Sequence, residues 1–157
     1  MSPEQERVRA YTSKQMGDAC EMLVAANLTL AGVPALKVPD NWPDYDVVAQ
    51  RTDGSEPLRI SVKSRTFKSV GNAYITYNTK DTFDWLAVVL LYPDNKRRFY
   101  LLPRAVADAI AKTDGPTAKT SEKYWPMSKV ESALKPWEDN FALKNPPAGL
   151  SDDGLIK

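Results

Sequence analysis

The hydrophobic period of this chain first changes at Gly32, and no other feature constrains the fold as tightly. Before that point Met16, Cys20, Leu23, Val24, Leu28 and Ala31 recur at helical spacing, which predicts an amphipathic helix. Thr12-x-x-Gln15 offers a capping box at its start, and Gly32 fits a C-terminal stop. Ser2-Pro3-Glu4 reads as an earlier helix start. After Gly32 the period falls to two. Val33 to Val38 reads as a short strand, and Tyr45, Val47 and Ala49 alternate with Asp44, Asp46, Val48 and Gln50. Asp53-Gly54 is a hairpin turn signal, followed by alternation of Leu58, Ile60 and Val62 with Arg59, Ser61 and Lys63. Ala73 to Tyr77 is a candidate strand. Trp85 to Tyr92 reads as a buried strand, Pro93-Asp94-Asn95 as a turn, and Arg98 to Leu102 as the returning strand. Pro103 opens a short helix to Ala111, and a second short helix is expected over Ser128 to Leu134, with Trp125, Trp137 and Phe141 as anchors. A helix followed by strands in 157 residues predicts one α/β domain, a mixed central β-sheet of about five strands flanked by helices. It is expected to span residues 1–145, with a loose tail over 146–157.

Composition removes much of the chemistry otherwise open to such a domain. There is no histidine, so imidazole bases, Ser-His-Asp and Cys-His catalysis and histidine metal sites are excluded. The single cysteine, Cys20, excludes an intrachain disulfide and a cysteine-rich zinc site. The longest apolar run, Trp85 to Tyr92, falls far short of the ~20 residues of a membrane span, so no membrane association is expected. A free thiol and a polar N-terminus without a secretory signal point to a cytoplasmic protein. Net charge is +1, from 21 basic and 20 acidic residues, so the overall balance does not advertise nucleic acid. The distribution does more. Arg59, Lys63, Arg65 and Lys68 follow one another with no acid between them, and Lys96, Arg97 and Arg98 form a second cluster that also fits a solvated hairpin tip.

The residues that carry chemistry sit around the first hairpin. If Asp53 and Gly54 are the two loop residues, Asp46 stands opposite Ser61, and Lys63 shares that face. Pro57 cannot donate to a ladder, so a longer loop is the alternative. The pair Asp46–Lys63 reads either as a cross-strand ion pair or as part of a site. Glu21 borders the apolar stripe of the first helix, where a carboxylate is uncommon unless paired. It is either a flank residue or a third member of the cluster, with Asp18 as the competing helix acid. Two carboxylates converging with a lysine would suit a hard divalent cation, Mg²⁺ or Mn²⁺, which takes oxygen ligands and polarises phosphoryl groups. Tyr74, Tyr77, Trp85 and Trp125 read as core or as base-stacking residues.

Helix glutamate, strand aspartate, then strand x-x-lysine, in the segments GDACEMLVAA, WPDYDVVAQ and RISVKSR, resembles the PD-(D/E)XK nuclease superfamily. DWLAVVLLY and RRFYLLP resemble the strands that follow the catalytic hairpin in its small resolvase-like members. The resemblance covers roughly residues 13 to 112. It implies a restriction-endonuclease-like fold and a Mg²⁺-dependent endonuclease acting on DNA, with RNA as an alternative substrate. It implies catalytic roles for Glu21, Asp46, Ser61 and Lys63. Asp46 would be the central metal ligand, Glu21 a ligand directly or through water, and the Val62 backbone carbonyl a third. Lys63 would position the attacking water, and Arg65 and Lys68 would contact flanking phosphates. Ser61 stands where the family usually has an acid, which leaves a second reading: a catalytically degenerate nucleic-acid-binding or interaction module. A homodimer would suit double-strand cleavage.

Overall fold

The computed structural model describes residues 10–67, 73–113 and 121–147. The helix start expected at Ser2-Pro3-Glu4, Lys68, and residues 148–157 of the expected tail lie outside the described residues. Helix α1 (Ser13–Leu30) begins with the expected capping box. The Gln15 N–H donates to Thr12 Oγ1 at 3.1 Å and the Thr12 N–H to Gln15 Oε1 at 2.9 Å, satisfying two of the orphan donors at a helix start. Gly32 follows the helix at φ +97°, a left-handed conformation that costs a side chain.

Strands β1 (Ala35–Lys37), β2 (Val47–Ala49), β3 (Leu58–Thr66), β5 (Trp85–Leu91) and β6 (Arg97–Pro103) form one sheet in the order β1-β2-β3-β5-β6. Only the β3–β5 pair is parallel. The mixed five-stranded sheet flanked by helices is the architecture the sequence predicts. A second sheet was not expected: β4 (Tyr74–Asn78), β7 (Lys112–Thr113) and β8 (Glu122–Pro126) pair antiparallel in the order β4-β8-β7. Helices α2 (Arg104–Ile110) and α3 (Met127–Ala133) and a 3-10 turn (Lys135–Trp137) complete the described elements.

The five-stranded sheet has a core on each face. On one side Cys20, Val24, Ala25 and Leu28 of α1 pack on Val47, Ile60, Val62, Ala87 and Val89. On the other, Leu86, Val88 and Leu90 meet the small sheet and short helices through Ile75, Tyr77, Trp125, Val130 and Trp137. β5 feeds both cores by alternation, which is why it reads as a continuous apolar run. Tyr77, Trp85 and Trp125 are therefore core, whereas Tyr74 lies at the surface, edge-on to Tyr124. Phe141 is half-buried against Phe99. Among the described residues no helix is long and apolar enough to cross a membrane.

Candidate functional site

The β2–β3 register is the one a two-residue turn would give, with Val47 opposite Ile60 and Ala49 opposite Leu58. The loop itself is longer, because Pro57 cannot extend the ladder. Gln50 closes it by donating to Ser55 O at 2.9 Å, and Asp53 accepts from the Ser55 N–H at 2.9 Å. The ladder also stops one residue earlier than expected. Asp44 takes a left-handed φ of +75°, which turns the incoming chain out of strand geometry. Asp46 lies just before the strand, yet its backbone is still bonded on both sides: its N–H donates to Ile60 O and its carbonyl accepts the Val38 N–H, each at 2.9 Å. Its Oδ2 accepts the Val62 N–H at 2.8 Å, occupying the donor that a continuing strand would have used.

That bond holds the Asp46 carboxylate in a cleft between the start of β2 and α1. The helix presents Lys14, Asp18 and Glu21 to this cleft at helical spacing, beside the apolar face it gives to the core. Asp40 and Asn41, from the loop after β1, close the far wall. Glu21 and Asp46 therefore line one space. Glu21 is pushed up to about 7, first by burial and then by the Asp46 charge, against the opposing pull of Lys37. Burial also raises Asp46, opposed by the Val62 N–H, Lys63 and Lys37. A cation in this cleft would favour the ionised form of both carboxyls.

Lys37 is a charged neighbour of the cleft carboxylates that sequence reasoning missed. Its ammonium lies 2.8 Å from Asp40 Oδ1, 3.6 Å from Glu21 Oε1 and 3.9 Å from Asp18 Oδ1. The available signal was the hairpin formed by Val33–Val38 and Tyr45–Ala49: antiparallel pairing sets Lys37 opposite Val47 and so beside Asp46. Lys14 bridges Asp18 and Asp40, each at 2.9 Å. With every group ionised, the four acids and two lysines leave an excess of two negative charges, which one divalent cation would balance.

The other expected site residues are placed less closely together. Lys63 is half-buried on β3 and its charge acts on Asp46, although among the described residues it is not a wall of the cleft. Ser61 is 2% exposed and belongs to the interior rather than the cleft surface. Arg65 is exposed farther along β3. Arg59 is committed to Asp84, donating from Nη2 to Oδ1 at 3.0 Å, with the Arg59 N–H on Oδ2 at 2.8 Å. Of the second basic cluster, Lys96 lies beside Asp94 at the hairpin tip, and Arg98 sits over the Tyr92 ring near Glu131.

The donor chemistry of the cleft fits Mg²⁺ or Mn²⁺, which take oxygen ligands and are commonly held by one or two protein carboxylates with water completing the shell. Among the described residues no group of three or more Asp, Glu, His or Cys side chains could hold an ion. Any ion here would therefore rely on two carboxylates, backbone oxygen and water.

No protein-family model matches the sequence, and no curated protein matches it. Among solved structures the chain is similar to a bacterial homing endonuclease, at 20% identity and TM-score 0.45, covering 69% of this chain and 84% of that one. It is also similar to Hjc, a Holliday junction resolvase from Archaeoglobus fulgidus, at 18% identity and TM-score 0.48, covering 76% of this chain and 88% of that one.

Proposed function

We propose that the protein is a divalent-metal-dependent endonuclease that hydrolyses DNA phosphodiester bonds, its catalytic unit being residues 1–145. The observation that carries this reading is the cleft lined by both Glu21 and Asp46, where burial raises both carboxyls, the Asp46 charge raises Glu21 further, and Lys63 draws Asp46 back down. Asp46, Glu21 and the Val62 carbonyl are the proposed ligands of Mg²⁺ or Mn²⁺. When bound, such an ion polarises a phosphoryl oxygen and lowers the pKa of coordinated water.

The chain's own residues do the rest. The Val62 N–H fixes one Asp46 oxygen and leaves the other to face the cleft. Lys63 supplies positive charge beside Asp46, where it would orient the attacking water and offset charge on the phosphorus. Arg65, exposed on the same strand, would hold a flanking phosphate without reading sequence. Lys68 is proposed for the same task from outside the described residues. Lys37 supports Glu21 and offsets part of the cleft's negative charge.

The test is cleavage of plasmid and oligonucleotide DNA, with RNA in parallel, across a Mg²⁺ and Mn²⁺ titration. Wild type is expected to cut only with metal, and Asp46→Ala and Lys63→Ala to lose about 10²-fold or more, the scale of removing one charge-stabilising group. Full activity in both variants would remove the proposed centre. A second reading, a binding module without hydrolysis, draws on the buried neutral Ser61 where an acid would add a ligand. It predicts salt-sensitive DNA binding with no cleavage at any metal concentration. Ser61→Glu would then leave metal affinity unchanged, whereas a latent centre would bind metal more tightly.

A further inference from the structure

We propose that Trp42 is a stacking platform for an unpaired base at the rim of the cleft, so that the protein prefers DNA with single-stranded or branched segments over uniform duplex. The choice of DNA rests on the nuclease reading; the stacking role rests on the loop between β1 and β2.

The chain contains four tryptophans. Trp85, Trp125 and Trp137 are 4%, 2% and 3% exposed, whereas Trp42 is 51% exposed. A large ring left in water on a floppy loop would carry little meaning, but this loop is built. The Trp42 N–H donates to Pro39 O at 2.9 Å and the Tyr45 N–H to Pro43 O at 3.0 Å. Pro43 has its own φ locked and disfavours helical backbone at Trp42 before it, and Asp44 takes a left-handed φ of +75°. The Tyr45 ring stands edge-on to the indole, with centroids 6.3 Å apart and planes at 71°. An edge contact of this kind steers the indole while covering at most one of its faces. The preceding residues, Asp40 and Asn41, line the cleft that holds Glu21 and Asp46. The loop that walls the cleft therefore also carries a half-exposed indole, one residue beyond the lining.

The geometry also selects among nucleic acids. Inside a duplex each base is already stacked on both neighbours, and taking one out costs unstacking and unpairing. An unpaired base at a fork, flap or junction carries no such cost and has a free face. Stacking on an aromatic side chain tolerates every base, so the preference is for structure and not for sequence.

Because the other three tryptophans are buried, quenching of emission by DNA reports Trp42. Metal-free protein in EDTA would be titrated with a blunt duplex, a forked duplex of the same length and a single strand. Affinity would be read by anisotropy of a dye on the DNA. The expected result is quenching by fork and single strand and little by blunt duplex. Trp42→Ala should lose the quench and weaken fork binding by about 5- to 150-fold, the range for loss of one stacked base, while duplex affinity holds. Trp42→Phe, which keeps a ring, should retain the fork preference without the signal. Asp46→Asn should quench like wild type. DNA binding without quenching, or an equal loss on fork and duplex in Trp42→Ala, would overturn the stacking role and leave the nuclease reading standing. Cleavage insensitive to Asp46, with the quench intact, would do the reverse. Absence of any DNA binding would end both.

Discussion

Asp46 does two things at once, and single substitutions separate them. One oxygen accepts the Val62 N–H, and the carboxylate as a whole faces Glu21. Asp46→Ala leaves that N–H without its acceptor and should lower stability by about 1–3 kcal/mol. Asp46→Asn keeps an acceptor oxygen and should cost less in a urea melt, yet bind metal as poorly as Asp46→Ala. Equal stability losses in the two variants would show that the bond contributes little. Glu21 gives the pH dependence. Its carboxyl is raised from 4.5 to about 7, so the folded state holds this proton more tightly than the unfolded chain. The stability contributed by that proton is full below about 4.5 and is lost as pH rises through about 7. Glu21→Gln should therefore gain in melting temperature relative to wild type between pH 5 and pH 8. Mn²⁺ affinity of the wild type should climb over the same upper range, because the ligand must be ionised. A melting-temperature difference that does not change with pH would contradict the cause assigned to the shift.

Helix α1 couples these residues to the fold: one face is core, and the next carries Lys14, Asp18 and Glu21. Its start depends on the Thr12–Gln15 box, so Thr12→Ala should cost about 0.5–2 kcal/mol in denaturant unfolding. A change below that range would mean that tertiary packing alone sets where the helix starts. The box, the apolar stripe and the Gly32 stop were all legible in the sequence because they are local. So were the β2–β3 register and the β5–β6 pair, where a turn separates matched alternations. The second sheet was not legible. β7 has two residues and pairs with β8, and β8, which ends in Pro126, is held on its other side by the distant β4. Lys37 escaped because, although the hairpin sets it opposite Val47, its place beside Glu21 depends on how α1 packs on that hairpin. The bond from the Val62 N–H to the Asp46 carboxylate was not legible either, because it forms just beyond the end of the ladder. Glu21 and Asp46 could be singled out from helix periodicity and hairpin register, but their shared cleft is a tertiary fact.

At the scale of the molecule, the strand β5 joins two cores, sending Trp85, Ala87 and Val89 to the α1 side and Leu86, Val88 and Leu90 to the other. Neither layer is covered without it, so the described elements should unfold together. Far-UV circular dichroism and tryptophan emission should give coincident urea transitions, since Trp85 reports one core while Trp125 and Trp137 report the other. Separated transitions would divide the molecule into independent layers. A net charge of +1 conceals a strong local asymmetry, because the cleft gathers four acids around two lysines. The central claim is that Glu21 and Asp46 share one divalent ion. Calorimetric titration of Mn²⁺ into metal-free protein at pH 8 tests it most directly. The account predicts one ion per chain in wild type and loss of that binding in both Glu21→Gln and Asp46→Asn. Wild-type protein that takes up no ion, or binding unchanged in both variants, would contradict it.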